Sequence, residues 1–97
     1  MAIRFEWDEN KNRENVAKHG IEFADVATVF DDPLSLTVPD RVINGEARYR
    51  TIGAALNGVV LVAHTVREFP GGDELVRIIS ARYATMAERK AYEEGEY

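Results

Sequence analysis

The hydrophobic positions of this chain change period several times, and each change marks an element. Ile3, Phe5 and Trp7 alternate with Arg4 and Glu6, the period of a half-buried strand. Asp8 then offers a side-chain cap for a helix from about Glu9 to His19, with Gly20 as its stop. That helix has only Val16 and Ala17 as apolar residues. On a helical wheel Lys11, Asn12, Asn15, Val16, Lys18 and His19 share one half, so one face is amide and cationic. Two readings stay open for it: a solvated surface helix, or a positive wall beside a site.

Phe23, Val26, Ala27 and Phe30 form the core stripe of a second helix, with Val29 on its margin and Asp31-Asp32-Pro33 as its end. Leu34, Leu36 and Val38 alternate as a short strand that Pro39-Asp40 ends, and a polar loop follows to about Glu46. Asn57-Gly58 lies between two apolar segments and predicts a two-residue hairpin turn, with Leu56 facing Val59. This register sets Thr51 opposite His64 on one face and Arg48 opposite Arg67 on the other, with Arg50 one pair along. Like charges placed so are destabilising unless an anion sits between them. Glu46, Glu68 or Asp73 would serve as that anion, and so would a phosphate.

Pro70-Gly71-Gly72 marks a turn, and Leu75 to Ala81 reads as a further strand. Strict alternation there groups Arg77 with Ile79 and Ala81, against Val76, Ile78 and Ser80; the loop does not fix its pairing. Thr85 followed by Glu88 has the spacing of a capping box, which predicts a last helix from about Met86 to Glu94. The expected fold class is α+β: an antiparallel sheet with two N-terminal helices and one C-terminal helix packed on it.

Composition narrows the classes. Ninety-seven residues, 45% of them hydrophobic, suit a single domain over residues 1–97 with one modest core. The net charge of -5 disfavours bulk attraction to nucleic acid. Its distribution is uneven: residues 21–47 hold one basic and six acidic residues, whereas 48–90 hold seven basic and four acidic. Cysteine is absent, and no apolar run approaches the ~20 residues of a membrane span. The expectation is a soluble cytoplasmic protein.

The two histidines, His19 and His64, show no metal-ligand spacing, so neither a metal nor another cofactor is expected. What remains is one strand histidine, several arginines, a lysine-bearing helix face and a tyrosine at a turn. RNA carries its own nucleophile, the 2′-OH, so cleaving it asks only for a base, an acid and cationic donors. His64 is a candidate base or acid; Arg77, Arg82 and Arg67 are candidate phosphate donors. Lys18 and His19 add charge or proton transfer from the helix, Lys11, Arg48 and Arg50 add phosphate contacts, and Tyr83 or Trp7 offers a ring for stacking. The bland alternatives are a core histidine and arginines paired with Glu88, Asp73 or the acidic tail.

The strings FEWDENKNRENVAKHGIEF, ATVFDDPLSLTVPD, VAHTVRE and VRIISARYATMAERKAYEEG together resemble the BrnT toxins of bacterial type II toxin-antitoxin modules across nearly the whole chain. Trp7-Asp8, Lys18-His19-Gly20, Phe30-Asp31-Asp32-Pro33 and Arg77-Ile78-Ile79-Ser80-Ala81-Arg82 carry the resemblance. It implies a RelE-like fold, growth inhibition by RNA cleavage, and a BrnA-like ribbon-helix-helix antitoxin in a hetero-oligomer that meets operator DNA only through the antitoxin. The other reading is a non-catalytic module that docks an antitoxin and modulates its DNA binding.

Overall fold

The structure is a computed structural model and describes residues 2–97. In chain order the elements are β1 (Ile3–Glu6), α1 (Glu9–His19), α2 (Phe23–Val26), a 3-10 turn (Ala27–Asp31), β2 (Leu36–Ile43), β3 (Glu46–Ala55), β4 (Gly58–Glu68), β5 (Glu74–Tyr83) and α3 (Met86–Glu94). The five strands form one sheet in the order β1-β5-β4-β3-β2. β1 runs parallel to β5 and the other pairs are antiparallel, so the sheet is mixed where a purely antiparallel one was expected.

The helices divide between the two faces of the sheet. α1, α2 and the 3-10 turn cover the first face, over a core of Ile21, Phe23, Val26, Val29, Val60, Val62, Val76, Ile78 and Ala81. α3 lies over part of the second face, where Tyr92 and Tyr97 pack on Ile52, Val59 and Leu61. After Val26 the second helix tightens to three residues per turn, which lines up Phe23, Val26 and Val29 as its buried stripe. Val29 is therefore core rather than marginal. Gly53 lets this turn sit close, since a Cβ there would meet Val29 Cγ1 at 3.0 Å.

α1 matches its expected bounds, capped by Asp8 and stopped by Gly20 at φ 71°. It docks without an apolar stripe. Its buried residues are Asn12 and Asn15, and Val16 remains exposed. The Asn15 amide donates to the Ile21 and Ala81 carbonyls at 2.9 Å each, and its oxygen accepts the Ala81 N–H at 3.0 Å. Asn12 accepts the Phe23 N–H at 2.8 Å. The amide face thus substitutes hydrogen bonds to otherwise unpaired backbone for hydrophobic burial.

Three departures in the sheet decide where side chains point. β2 runs through Pro39 to Ile43, and its turn is Asn44-Gly45, with Ile43 opposite Glu46. Pro39 is tolerated because β2 is an edge strand, with a register break between Pro39 and Val42. In the β3–β4 hairpin the turn residues are Leu56 and Asn57, both at positive φ, so Ala55 faces Gly58 and Tyr49 faces His64. Gly58 is used as a seat: a Cβ there would lie 3.5 Å from the Tyr83 ring. The two-residue slip keeps every side chain on its expected face. It does undo the predicted pairing of Arg48 with Arg67, and Arg50 now faces Ala63.

The third departure is a bulge in β5. Ala63 pairs with Ser80 but His64 pairs with Ile78, leaving Ile79 as the extra residue. Alternation restarts there, so Val76, Ile78 and Ala81 all enter the core while Arg77 and Arg82 come onto the same face. Uninterrupted alternation would have set those two arginines on opposite sides.

Candidate functional site

The second face of the sheet collects the arginines. Arg4 pairs with Leu75, which pairs with Arg67; Glu6 pairs with Arg77, which pairs with Thr65; Ala63 pairs with Arg50; and Leu61 pairs with Arg82. Arg48, two residues before Arg50 on β3, shares that face. α3 covers the end with Arg82, Ile52 and Leu61. The opposite end, with Arg4, Arg48, Arg50, Arg67 and Arg77, is left open.

At that open end a cleft of about 220 Å³ is lined by Glu6, Glu46, Tyr49, Thr65, Arg67 and Arg77, among others. Arg77 Nη1 lies 3.5 Å from Glu6 Oε2, with both side chains about half exposed. An exposed pair of this length is weak and available to a competing anion. Arg67 has no carboxylate within salt-bridge distance among the described residues; its guanidinium lies 5.6 Å from the Phe69 ring. Two forked donors and two carboxylates therefore line one cavity, which Tyr49 borders from its strand while its ring stacks on His64 behind the sheet.

The remaining candidates are scattered. His64 is 1% exposed on the opposite, helix-covered face. Its Nε2 lies 2.7 Å from Thr51 Oγ1, which in turn lies 2.7 Å from Thr37 Oγ1. Its Nδ1 lies 3.3 Å from the Thr65 carbonyl, so the neutral ring with hydrogen on Nδ1 satisfies both contacts. Burial pushes the His64 pKa down, only partly opposed by the Thr65 carbonyl. The ring stands edge-on to Phe30 and stacks on Tyr49 at 6.1 Å and 27°. His64 thus stands behind the sheet from the cleft, stacked on Tyr49.

Arg82 is held by Glu88 in a two-point pair at 2.7 and 3.0 Å. Glu88 is also the reciprocal member of the Thr85 capping box, so this arginine anchors the start of α3. The Arg82 contacts, with the Thr85 backbone N–H, hold the Glu88 carboxyl down at about 2. Lys11, Lys18 and His19 line a second cleft, about 250 Å³, between α1 and β5 beside Ile79 and Ser80. Trp7 packs edge-on against Phe23 at 6.2 Å, and Tyr83 rests by Gly58.

Glu6 and Thr65 escaped sequence reasoning, and Glu46 entered it only as a candidate anion between arginines. Asn44-Gly45 was the available signal for the place of Glu46, because that turn starts β3 there.

Fold and face together define a small α+β protein with one cationic sheet surface suited to phosphate esters. The family model described as "Ribonuclease toxin, BrnT, of type II toxin-antitoxin system" matches residues 7–88. The chain belongs to this BrnT family and is thus the ribonuclease toxin type of a type II system, with an antitoxin as partner. A search of curated proteins found no match.

Proposed function

We propose that this chain is a metal-independent endoribonuclease that cleaves RNA by attack of its 2′-OH on the adjacent phosphorus. The observation that carries the reading is the cleft where Arg67 and Arg77 stand with Glu6 and Glu46. The two guanidinium groups hold the scissile phosphate and take up the charge that grows on its oxygens. A carboxylate, Glu6 or Glu46, accepts the 2′-OH proton as the O2′–P bond forms. The P–O5′ bond breaks, and the leaving oxygen takes its proton from water in the open cleft, whose hydroxide the protonated carboxyl then neutralises. The products are a 2′,3′-cyclic phosphate and a 5′-hydroxyl, and no metal enters this balance.

His64, buried and neutral, serves the closed face, where it bonds Thr51 and stacks on Tyr49. Arg82 serves the fold through Glu88. Lys11, Lys18 and His19 draw the RNA strand along the far side of β5 by charge. The toxin is neutralised by a BrnA-like ribbon-helix-helix antitoxin in a hetero-oligomer, which reaches operator DNA through the antitoxin alone.

The test is cleavage of RNA by purified protein in excess chelator, with the new ends mapped. Arg67→Ala and Arg77→Ala should each lower kcat/KM by about 10²–10³. Cleavage that stops on chelation, or two variants that cut like wild type, sinks the mechanism. A wild-type protein that cuts nothing yet binds the antitoxin tightly leaves the docking-module reading.

A further inference from the structure

Hydrogen-bond accounting on the second face leaves a remainder. Among the described residues, the buried side-chain nitrogens and oxygens without a hydrogen-bond partner are Arg48 Nε, Arg50 Nε and Tyr97 OH. A folded chain pairs nearly all such groups, because a buried donor left alone costs about 1–3 kcal/mol. These three stand on one face. Arg48 and Arg50 are alternate residues of β3, and the Arg50 guanidinium lies 5.8 Å from the centre of the Tyr97 ring. Asp40 Oδ1 is 4.0 Å from Arg50 Nε, close enough for attraction but too far for a hydrogen bond.

All three orphans are groups that donate to oxygen, two of them cationic. The ligand that satisfies such a set is an anion with several oxygens. The β3–β4 register, carried one pair beyond Tyr49 and His64, sets Arg48 beside Thr65, whose other neighbour is Arg77. Arg48 and Arg77 are then two strand spacings apart, roughly 10 Å. Long side chains on that spacing can engage neighbouring phosphates of one strand without competing for the same one.

We propose that Arg48, Arg50 and the Tyr97 hydroxyl form a phosphate subsite for the RNA phosphodiester next to the scissile one, so that RNA crosses β4 from the Arg67–Arg77 cleft to β3. The subsite rests on the reading of this face as an RNA surface, and it adds a direction to it. Tyr97 lies beyond the residues matched by the family model, and its ring, packed under Arg50, closes the subsite on the α3 side.

Binding and cleavage are read separately. The binding probe is a 2′-O-methyl oligonucleotide, which cannot be cut by 2′-OH attack, titrated by fluorescence anisotropy over a range of salt. Each single-strand phosphate contact contributes about 0.7 to the slope of log K against log salt. Arg48→Ala and Arg50→Ala should each reduce that slope by about 0.7, and Tyr97→Phe should weaken binding about threefold with the slope kept. The cleavage probe compares a dinucleotide, which has only the scissile phosphate, with a trinucleotide. Wild type should favour the trinucleotide about tenfold in KM, and Arg48→Ala or Arg50→Ala should erase the preference.

Unchanged slopes in both arginine variants overturn the subsite. So does unchanged RNA binding combined with lost affinity for an acidic antitoxin peptide, which would assign the orphaned donors to carboxylates. If wild type cuts neither substrate but the slopes fall as stated, the catalytic reading fails and the subsite stands.

Discussion

The two faces of this sheet are built from the same strands by the same alternation, yet they solve the problem of polar groups in opposite ways. The helix-covered face is closed, and each buried polar side chain on it has partners: Thr51 and His64 bond each other, and Asn15 serves three backbone groups. On the other face the orphaned donors sit beside arginines held only by long or exposed ion pairs. A closed face earns stability by satisfying everything it buries. An open face that keeps unsatisfied donors is prepared for a ligand.

One charge placed on either face of the sheet separates the two most strongly. Val62 is fully buried beneath the helices, while its neighbour Ala63 faces the open side between Arg50 and Ser80. Val62→Asp buries an unpaired carboxylate and should cost more than about 4 kcal/mol, enough to unfold much of the protein. Ala63→Asp should stay within about 1 kcal/mol, since it stands beside a cation. Urea melts of the two variants read the difference, and equal midpoints would mean that the faces are not distinct.

Next in size is the amide docking of α1. Asn15→Ala strips the Ala81 N–H and C=O and the Ile21 C=O of their side-chain partner. The loss should be about 3 kcal/mol, more than the removal of a few atoms implies, because the groups left behind are buried. Asn15→Leu, which restores apolar volume, should not recover it. A full rescue by leucine would show that α1 docks by packing after all.

Both events were partly written in the chain. Asp8, Gly20, Thr85 and Glu88 declared α1 and α3, whose expected bounds match, because helix caps are local chemistry. The docking of α1 was not legible: a search for an apolar stripe passes over two asparagines that bond backbone outside the helix, at Ile21, Phe23 and the distant Ala81. The β5 bulge was equally hidden, since Val-Arg-Ile-Ile-Ser alternates acceptably without it, and only the helix packed above selects Ile78 and Ala81 together. The arginines of the candidate site were visible as chemistry, but not as one face. That depended on the bulge, which brings Arg77 and Arg82 together onto the face that Arg48, Arg50 and Arg67 were already expected to share.

The smallest expected effect tests how firmly α3 closes its half of the open face. α3 buries no residue fully and is held by Arg82–Glu88, by the Tyr92 hydroxyl on Asp32 at 2.5 Å, and by the Tyr92 and Tyr97 rings. The Glu88 carboxyl is held down from 4.5 to about 2, chiefly by the Arg82 hydrogen bonds. A carboxyl depressed on folding stabilises above its unfolded value, and that contribution disappears as pH falls through the folded value. The Arg82–Glu88 stabilisation is therefore complete above about pH 5 and declines between 4.5 and 2. Because Arg82 is over a third exposed, solvent screening reduces its worth to about 1–2 kcal/mol. Glu88→Gln should lose that amount at pH 7, and the gap to wild type should narrow toward zero near pH 2. The loss should appear first as faster amide exchange in α3, with β4 unchanged. A pH-independent gap, or loss of protection in β4 at the same rate, would mean that α3 belongs to the core as firmly as the helices opposite.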